Sequence, residues 1–221
     1  MTPCQDWFRC TSWNDSERVE FERRLARARP AGRAEYLRIQ ALTLIQTRND
    51  ELIRDGLSLT DRFMRDYPDD LFAALVHEHR AEAYEHLDEI SAALQSYRDA
   101  MSAERVRPRV RSQAWLRFGW LVARRRLKHL YGEAETLLDE GFEPMPFPYM
   151  RFQYHATRAI ILCEKGFSTH AQREAVTALE AAGATQSGLR FHSKIGLVRD
   201  VPMDIKRCLE LIALDPAGPL S

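Results

Sequence analysis

Residues 77–86, HEHRAEAYEH, contain three histidines and three glutamates, which are residue types that can bind a metal ion. On a helix, His79 and His86 lie on one face with Glu82 between them. Imidazole and carboxylate ligands suit zinc and other borderline cations, so one hypothesis is a metal-dependent enzyme. The HExxH pattern fails, because an alanine stands four residues after His77. One helix rarely completes a coordination sphere, so we favour a solvated helix face and expect neither metal nor cofactor.

Other catalytic motifs are absent from the sequence. It has no G-x-S-x-G elbow, no G-x-x-x-x-G-K-[ST] phosphate loop and no G-x-G-x-x-G turn. Cys4, Cys10, Cys163 and Cys208 form no CxxC pair and no disulfide framework. Free thiols in a reducing cytoplasm explain them most simply, and pairing of Cys4 with Cys10 stays open. We therefore predict that the protein is not an enzyme.

The composition indicates an ordinary globular chain without a strongly charged partner. Its 221 residues suffice for a core, and 45% of them are hydrophobic. Thirty-two basic residues balance thirty-two acidic ones, so the total charge favours neither a polyanion nor a membrane. The first residues lack the pattern of a secretory signal, and no apolar run approaches the ~18 residues of a spanning helix. We expect a cytoplasmic protein with no membrane partner.

Helical periodicity runs through most of the chain. Asn14, Asp15 and Ser16 are suitable N-caps for a helix over residues 17–29, and the Pro30–Gly32 segment predicts its end. The stretch 34–46 then places apolar residues at helical spacing, and similar segments recur to about residue 182. No comparable stretch alternates as a strand does, so we predict an all-α protein.

Small and apolar residues also recur at a longer period, and this pattern resembles the tetratricopeptide (TPR) repeat. The segment 74–107 has Ala81, Tyr84, Ala93, Tyr97 and Ala100 at the expected positions, and 152–185 has Ala159, Leu162, Gly166, Ala171, Ala175 and Ala178. Residues 34–70 (Ala41, Leu44, Gly56, Phe63, Pro68) and 112–148 (Trp115, Phe118, Gly119, Ala134) fit after a three-residue insertion. The period is therefore longer than that of the family, and the turns are irregular.

The resemblance implies a TPR-like solenoid of antiparallel helix pairs with capping helices at both ends. Residues 1–33 would form the N-terminal segment and cap, 34–182 four helix pairs, and 183–221 a loop, a C-terminal cap near 203–214 and a tail. Capping is expected because each repeat buries its apolar side only against its neighbours. The first helices would line a concave groove, which would hold a protein or peptide partner. The expected partner-binding residues are Arg38, Glu78, Glu82, Glu85, Arg117, Trp120, Arg124 and Gln153.

The neutral total conceals two segments of opposite charge. Residues 66–89 contain eight carboxylates and one arginine, whereas residues 105–132 contain nine basic residues and no acidic one. These segments either neutralise each other or offer complementary potential to a partner. Arg117, Trp120 and Arg124 lie on one helix face, and a tryptophan between arginines is typical of a binding hot spot. The alternative is that Trp120 packs against the next repeat.

We therefore predict a protein-binding module. Small solitary helical-repeat proteins are similar to bacterial adaptors, secretion chaperones and immunity proteins, and we favour an inhibitor or immunity role on that resemblance alone. The alternatives are a chaperone or adaptor, or a nucleic-acid binder that uses the basic 105–128 stretch. Nucleic acid is disfavoured because the isoelectric point is near 7.1 and the acidic segment would repel phosphates. The partner's identity and the oligomeric state stay open.

Overall fold

The computed structural model describes residues 6–68, 70–141 and 145–214. Within these ranges the chain forms ten α-helices and one 3-10 helix, and no described residue lies in a strand. The prediction of an all-α fold is confirmed. The chain divides into two compact units, Met1–Ala114 and Trp115–Ser221, and the boundary in the sequence falls near the start of a helix of the third predicted repeat.

The first unit contains five helices that pack as consecutive pairs. They are α1 (Asp15–Arg27), α2 (Pro30–Ile45), α3 (Asp50–Asp66), α4 (Ala73–His86) and α5 (Ile90–Val106). The most extensive contacts join α2 to α3 and α4 to α5, and α4 also contacts both α2 and α3. The connections within the pairs are short, so the paired helices are antiparallel. Trp13, Phe21, Leu37, Leu44 and Phe63 are among the side chains that form the main core of this unit.

The second unit contains the remaining helices. They are α6 (Ala114–Arg124), a 3-10 turn (Lys128–Leu130), α7 (Tyr131–Glu140), α8 (Pro148–Glu164), α9 (Ser168–Ala182) and α10 (Met203–Leu214). α8 packs extensively on α9, and α10 packs on both. α10 buries Ile205, Cys208, Leu209 and Ile212, which recur at helical spacing and form its apolar stripe.

The helix ends follow from local sequence. Asn14 caps α1 in a capping box, since its side chain accepts the Glu17 N–H at 3.1 Å and Glu17 accepts the Asn14 N–H at 2.9 Å. The prediction that the next helix begins near residue 34 is wrong, because α2 already begins at Pro30. Proline is favoured at the first helical position, where no N–H is needed, so Pro30 both separates α1 from α2 and begins α2.

A left-handed residue follows the first helix of each predicted repeat. Each of these residues lies seven positions after a small residue of its repeat, which is Ala41, Ala81, Gly119 or Ala159 in turn. The left-handed residues are therefore also 40, 38 and 40 positions apart. They are Arg48 (φ 57°), Asp88 (φ 59°), Arg126 (φ 55°) and Gly166 (φ 86°). The first three are the only non-glycine residues with positive φ in the described ranges. Four turns at one register therefore share a backbone conformation that side chains other than glycine rarely adopt.

Candidate functional site

Trp120 lies on α6 and contacts the next predicted helix pair. Its ring meets the ring of Phe152 on α8 edge to face, with centroids 5.5 Å apart and planes at 63°. Phe152 is buried at 4% exposure, whereas Trp120 is only half-buried. Trp120 therefore packs on its neighbour, as one alternative held, and still offers part of its surface to solvent.

Polar groups that were predicted to bind a partner lie on the same two helices. Arg117 and Arg124, one turn before and one turn after Trp120, are half-buried. Gln153 follows Phe152 on α8, and its Oε1 is buried without a hydrogen-bond partner among the described residues. An unsatisfied buried acceptor costs about 1–3 kcal/mol. A donor from a bound molecule would remove that cost.

An open cavity of about 520 Å³ adjoins Phe152. Its lining consists of Phe152, Leu179, Ala182, Gly183, Arg199, Asp200, Val201, Met203 and Lys206. The lining combines apolar side chains with charged side chains of both signs, Arg199, Asp200 and Lys206. This volume suits one or two side chains of a partner.

The predicted site residues of the first unit bind mainly to their own chain. The Arg38 guanidinium donates to Glu35 at 2.7 Å and lies 4.7 Å from the ring centroid of Phe72. The Glu85 carboxylate accepts the hydroxyl of buried Tyr97 at 2.5 Å. Both side chains therefore help to hold neighbouring helices in place.

Glu78 departs most from the sequence prediction. The expectation of a solvated position is wrong here, because Glu78 is 5% exposed. Its carboxylate accepts the backbone N–H of Gln113 at 3.3 Å, just before α6 begins. A buried carboxylate needs such donors, and no local pattern predicts that residue 113 approaches α4. Binding of a partner by Glu78, Glu82 and Glu85 stays a prediction.

The histidine cluster does not converge on one point. His79 Nδ1 lies 3.7 Å from Glu82, whereas His86 Nε2 lies 3.5 Å from Asp50 on α3. Across the described ranges, no group of three histidine, cysteine, aspartate or glutamate side chains is placed to hold a metal ion.

Several basic residues of the 105–128 stretch form ion pairs with carboxylates of the same chain. Arg126 and Lys128 both pair with Glu164, which also accepts the Tyr131 hydroxyl at 3.0 Å. Burial alone would raise the pKa of Glu164, but these donors outweigh burial and lower it. Burial and the bond to Glu164 raise the pKa of Tyr131. Arg111 pairs with Glu104 at 3.3 Å, while Arg105 and Arg109 are exposed.

Sequence reasoning missed a charged cluster between α8 and α9. Glu174 accepts from Arg158 at 2.9 Å and lies 2.6 Å from His155 Nδ1, and Arg158 also donates to Asp139 at 2.8 Å. His155 and Arg158 share a helix face, but no local pattern predicts which residue of α9 will face them. The cluster links α7, α8 and α9.

Comparisons with known proteins assign no family. No protein-family model, no curated protein and no solved structure matches this chain significantly. None of the described helices combines the length and apolar character needed to cross a membrane. The function is therefore inferred from the side chains themselves.

Proposed function

We propose that this chain is a non-enzymatic cytoplasmic module that binds a partner protein. The binding surface, here called the Trp120 surface, comprises Trp120, Phe152, Gln153, Arg117 and Arg124. The observation that carries the proposal is the half-buried Trp120 ring, which packs edge to face on buried Phe152 and leaves part of its surface in solvent, while Phe152 also lines an open cavity. Tryptophan and arginine dominate binding hot spots because they bury much surface and lose little freedom when already positioned.

The polar groups of the Trp120 surface would determine which partner groups it binds. Gln153 Oε1 is buried without a hydrogen-bond partner among the described residues, so a partner N–H would reach it only if the side chain turned toward solvent, and that bond would then satisfy the acceptor. The two arginines favour acidic groups on the partner and would raise the association rate. An apolar partner side chain would fill the cavity next to Phe152.

A TPR-like solenoid of four helix pairs is part of the same proposal. The recurrent left-handed turn and the small residues at matching spacing support four equivalent pairs. Gly119 of α6 lies close to α7, since a Cβ added to Gly119 would stand 3.4 Å from Cδ2 of Leu138. In such arrays the first helices line the binding groove, and α6 and α8 are first helices.

Affinity capture from the native host tests the proposal. The wild-type chain should retain a specific protein that the double variant Trp120→Ala, Arg124→Glu loses. Arg173→Glu is the matched control, because it reverses an exposed charge on α9 outside the Trp120 surface. Circular dichroism would establish that both variants fold. Equal capture by the wild type and the double variant would refute this binding surface.

The behaviour of the captured protein would also distinguish an inhibitor or immunity role from a chaperone or adaptor role. Loss of the partner's own activity on binding indicates an inhibitor or immunity protein. A partner that is kept unfolded before export indicates a secretion chaperone, and simultaneous binding of a second protein indicates an adaptor.

A further inference from the structure

A closed loop between α9 and α10 holds an aromatic side chain in solvent. At its base, the Ser187 N–H donates to the Ser193 carbonyl at 2.8 Å, and the Ser187 hydroxyl donates to the His192 carbonyl at 2.9 Å. Ser187 itself is buried, so these bonds fix the two ends of the segment together. Short loops whose ends meet in this way are compact rather than extended. We refer to residues 187–195 as the 187–195 loop.

Two successive turns shape the outer part of this loop. The His192 N–H donates to the Leu189 carbonyl at 3.2 Å, which makes Arg190 and Phe191 the central pair of a turn. A second turn is closed by the Ile195 N–H, which donates to the His192 carbonyl at 3.0 Å. Phe191 is 82% exposed, the largest exposure of any aromatic side chain in the described ranges.

The base of the loop is anchored to α8. The Gly196 carbonyl accepts the Tyr149 N–H at 3.0 Å, and Gly196 adopts φ 72°. A Cβ on Gly196 would collide with the ring of Phe147, so only glycine permits this approach. The base of the loop is therefore fixed in place, and Phe191 is exposed on a loop that is held by these contacts.

The charged residues of the 187–195 loop are all basic. From residue 181 to residue 199 the sequence contains Arg190, Lys194 and Arg199 and no carboxylate. The Arg190 guanidinium lies 5.3 Å from the centroid of the Phe191 ring, within cation–π range. Exposed aliphatic side chains, Leu189 and Ile195, flank the pair. The loop therefore combines apolar groups with unopposed cations.

We propose that the 187–195 loop docks onto an anionic phospholipid surface. An aromatic ring and two aliphatic side chains gain free energy at the boundary between headgroups and acyl chains. Arg190 and Lys194 would remain at headgroup level and bind phosphates and carboxylates. This proposal does not depend on the Trp120 surface, and it departs from the expectation of no membrane partner, which rested on total charge and hydropathy.

Nucleic acid fits the same loop less well. Single strands bind by stacking successive bases on several aromatic rings along a basic groove, whereas the loop holds one phenylalanine ring. Leu189 and Ile195 would gain nothing from a sugar–phosphate backbone. Three apolar side chains on one loop give only weak and reversible membrane binding, so we expect a peripheral contact.

Vesicle sedimentation with the full chain tests the proposal. The chain should sediment with vesicles of phosphatidylcholine mixed with phosphatidylserine, less so at higher salt, and not with phosphatidylcholine alone. Phe191→Ala should lower the partition coefficient about tenfold, because it removes most of the inserted apolar surface. Arg190→Glu with Lys194→Glu should abolish sedimentation. Phe167→Ala and Arg173→Glu, which change exposed residues elsewhere in the second unit, should sediment as the wild type does.

A second measurement separates insertion from adsorption by charge alone. In Phe191→Trp, phosphatidylserine vesicles that also contain brominated phosphatidylcholine should quench the added fluorescence. Absence of quenching would overturn insertion of the loop. Absence of serine-lipid-dependent sedimentation, or full sedimentation of Phe191→Ala, would overturn the proposal. Binding of a single-stranded oligonucleotide that these loop variants lose, without vesicle binding, would assign the loop to nucleic acid instead.

Discussion

Gly56 on α3 lies directly against the backbone of α2 at Ala41. A Cβ on Gly56 would stand 2.8 Å from the Ala41 carbonyl oxygen and 2.8 Å from Cγ1 of Ile45. Ala41 itself is buried, so both helices carry a small residue where they approach. Gly56 and Ala41 both belong to the first predicted repeat.

Replacing Gly56 by alanine should therefore destabilise the protein. We expect the free energy of unfolding to fall by about 1–3 kcal/mol, because the methyl group forces the backbones apart. Gly132→Ala on α7 is the control, since no atom lies within 4 Å of its Cβ position. That variant should lose no stability, because its methyl group meets no atom and alanine has the higher helix propensity. Urea unfolding measures the free energy of unfolding of both variants. Equal changes in Gly56→Ala and Gly132→Ala would contradict the prediction that the close contact between Gly56 and Ala41 excludes a side chain.

The left-handed turns predict that substitutions at two equivalent positions, Arg48 and Gly166, change the free energy of unfolding in opposite directions. Arg48→Gly should raise the free energy of unfolding by about 1 kcal/mol, because glycine adopts positive φ without steric cost. Gly166→Ala should lower it by a similar amount, and only the backbone can cause this, since nothing lies within 4 Å of the added Cβ. Thermal denaturation followed by circular dichroism checks the pair. Destabilisation by Arg48→Gly would contradict the shared turn conformation.

The Glu174 cluster predicts a pH-dependent contribution to stability. Burial would raise the pKa of Glu174, but hydrogen bonds from His155 and Arg158 outweigh burial and lower it below 4.5. A carboxylate with a lowered pKa in the folded state stabilises the fold above its unfolded pKa, and this stabilisation disappears as pH falls through the folded pKa. The stability difference between the wild type and Glu174→Gln should therefore shrink below about pH 4.5. Glu180→Gln, an exposed change on the same helix, should show no such trend in urea titrations.

The sequence predicted the helices well because their signals are local. Caps such as Asn14 and apolar spacing within one helix both act over a few turns. Pro30 was interpreted only as a terminator, although proline also begins helices. That error moved the start of α2 by four residues.

The site was less predictable because it depends on contacts between distant residues. Glu78 looked like a surface residue until Gln113, 35 positions away, proved to donate to it. The partner of His155 lies 19 residues further along the chain, on another helix. The exposure of Phe191 depends on the bonds of Ser187, which no hydropathy pattern contains. Trp120 lies on a helix, as its spacing predicts, and its role in binding stays a prediction.

The most direct test of the account is the dissociation constant of the captured partner, measured by isothermal titration calorimetry. Trp120→Ala should weaken binding by at least about tenfold, or ~1.4 kcal/mol, whereas Arg173→Glu should leave it unchanged. A dissociation constant for folded Trp120→Ala equal to that of the wild type would contradict the proposal that the Trp120 surface binds the partner.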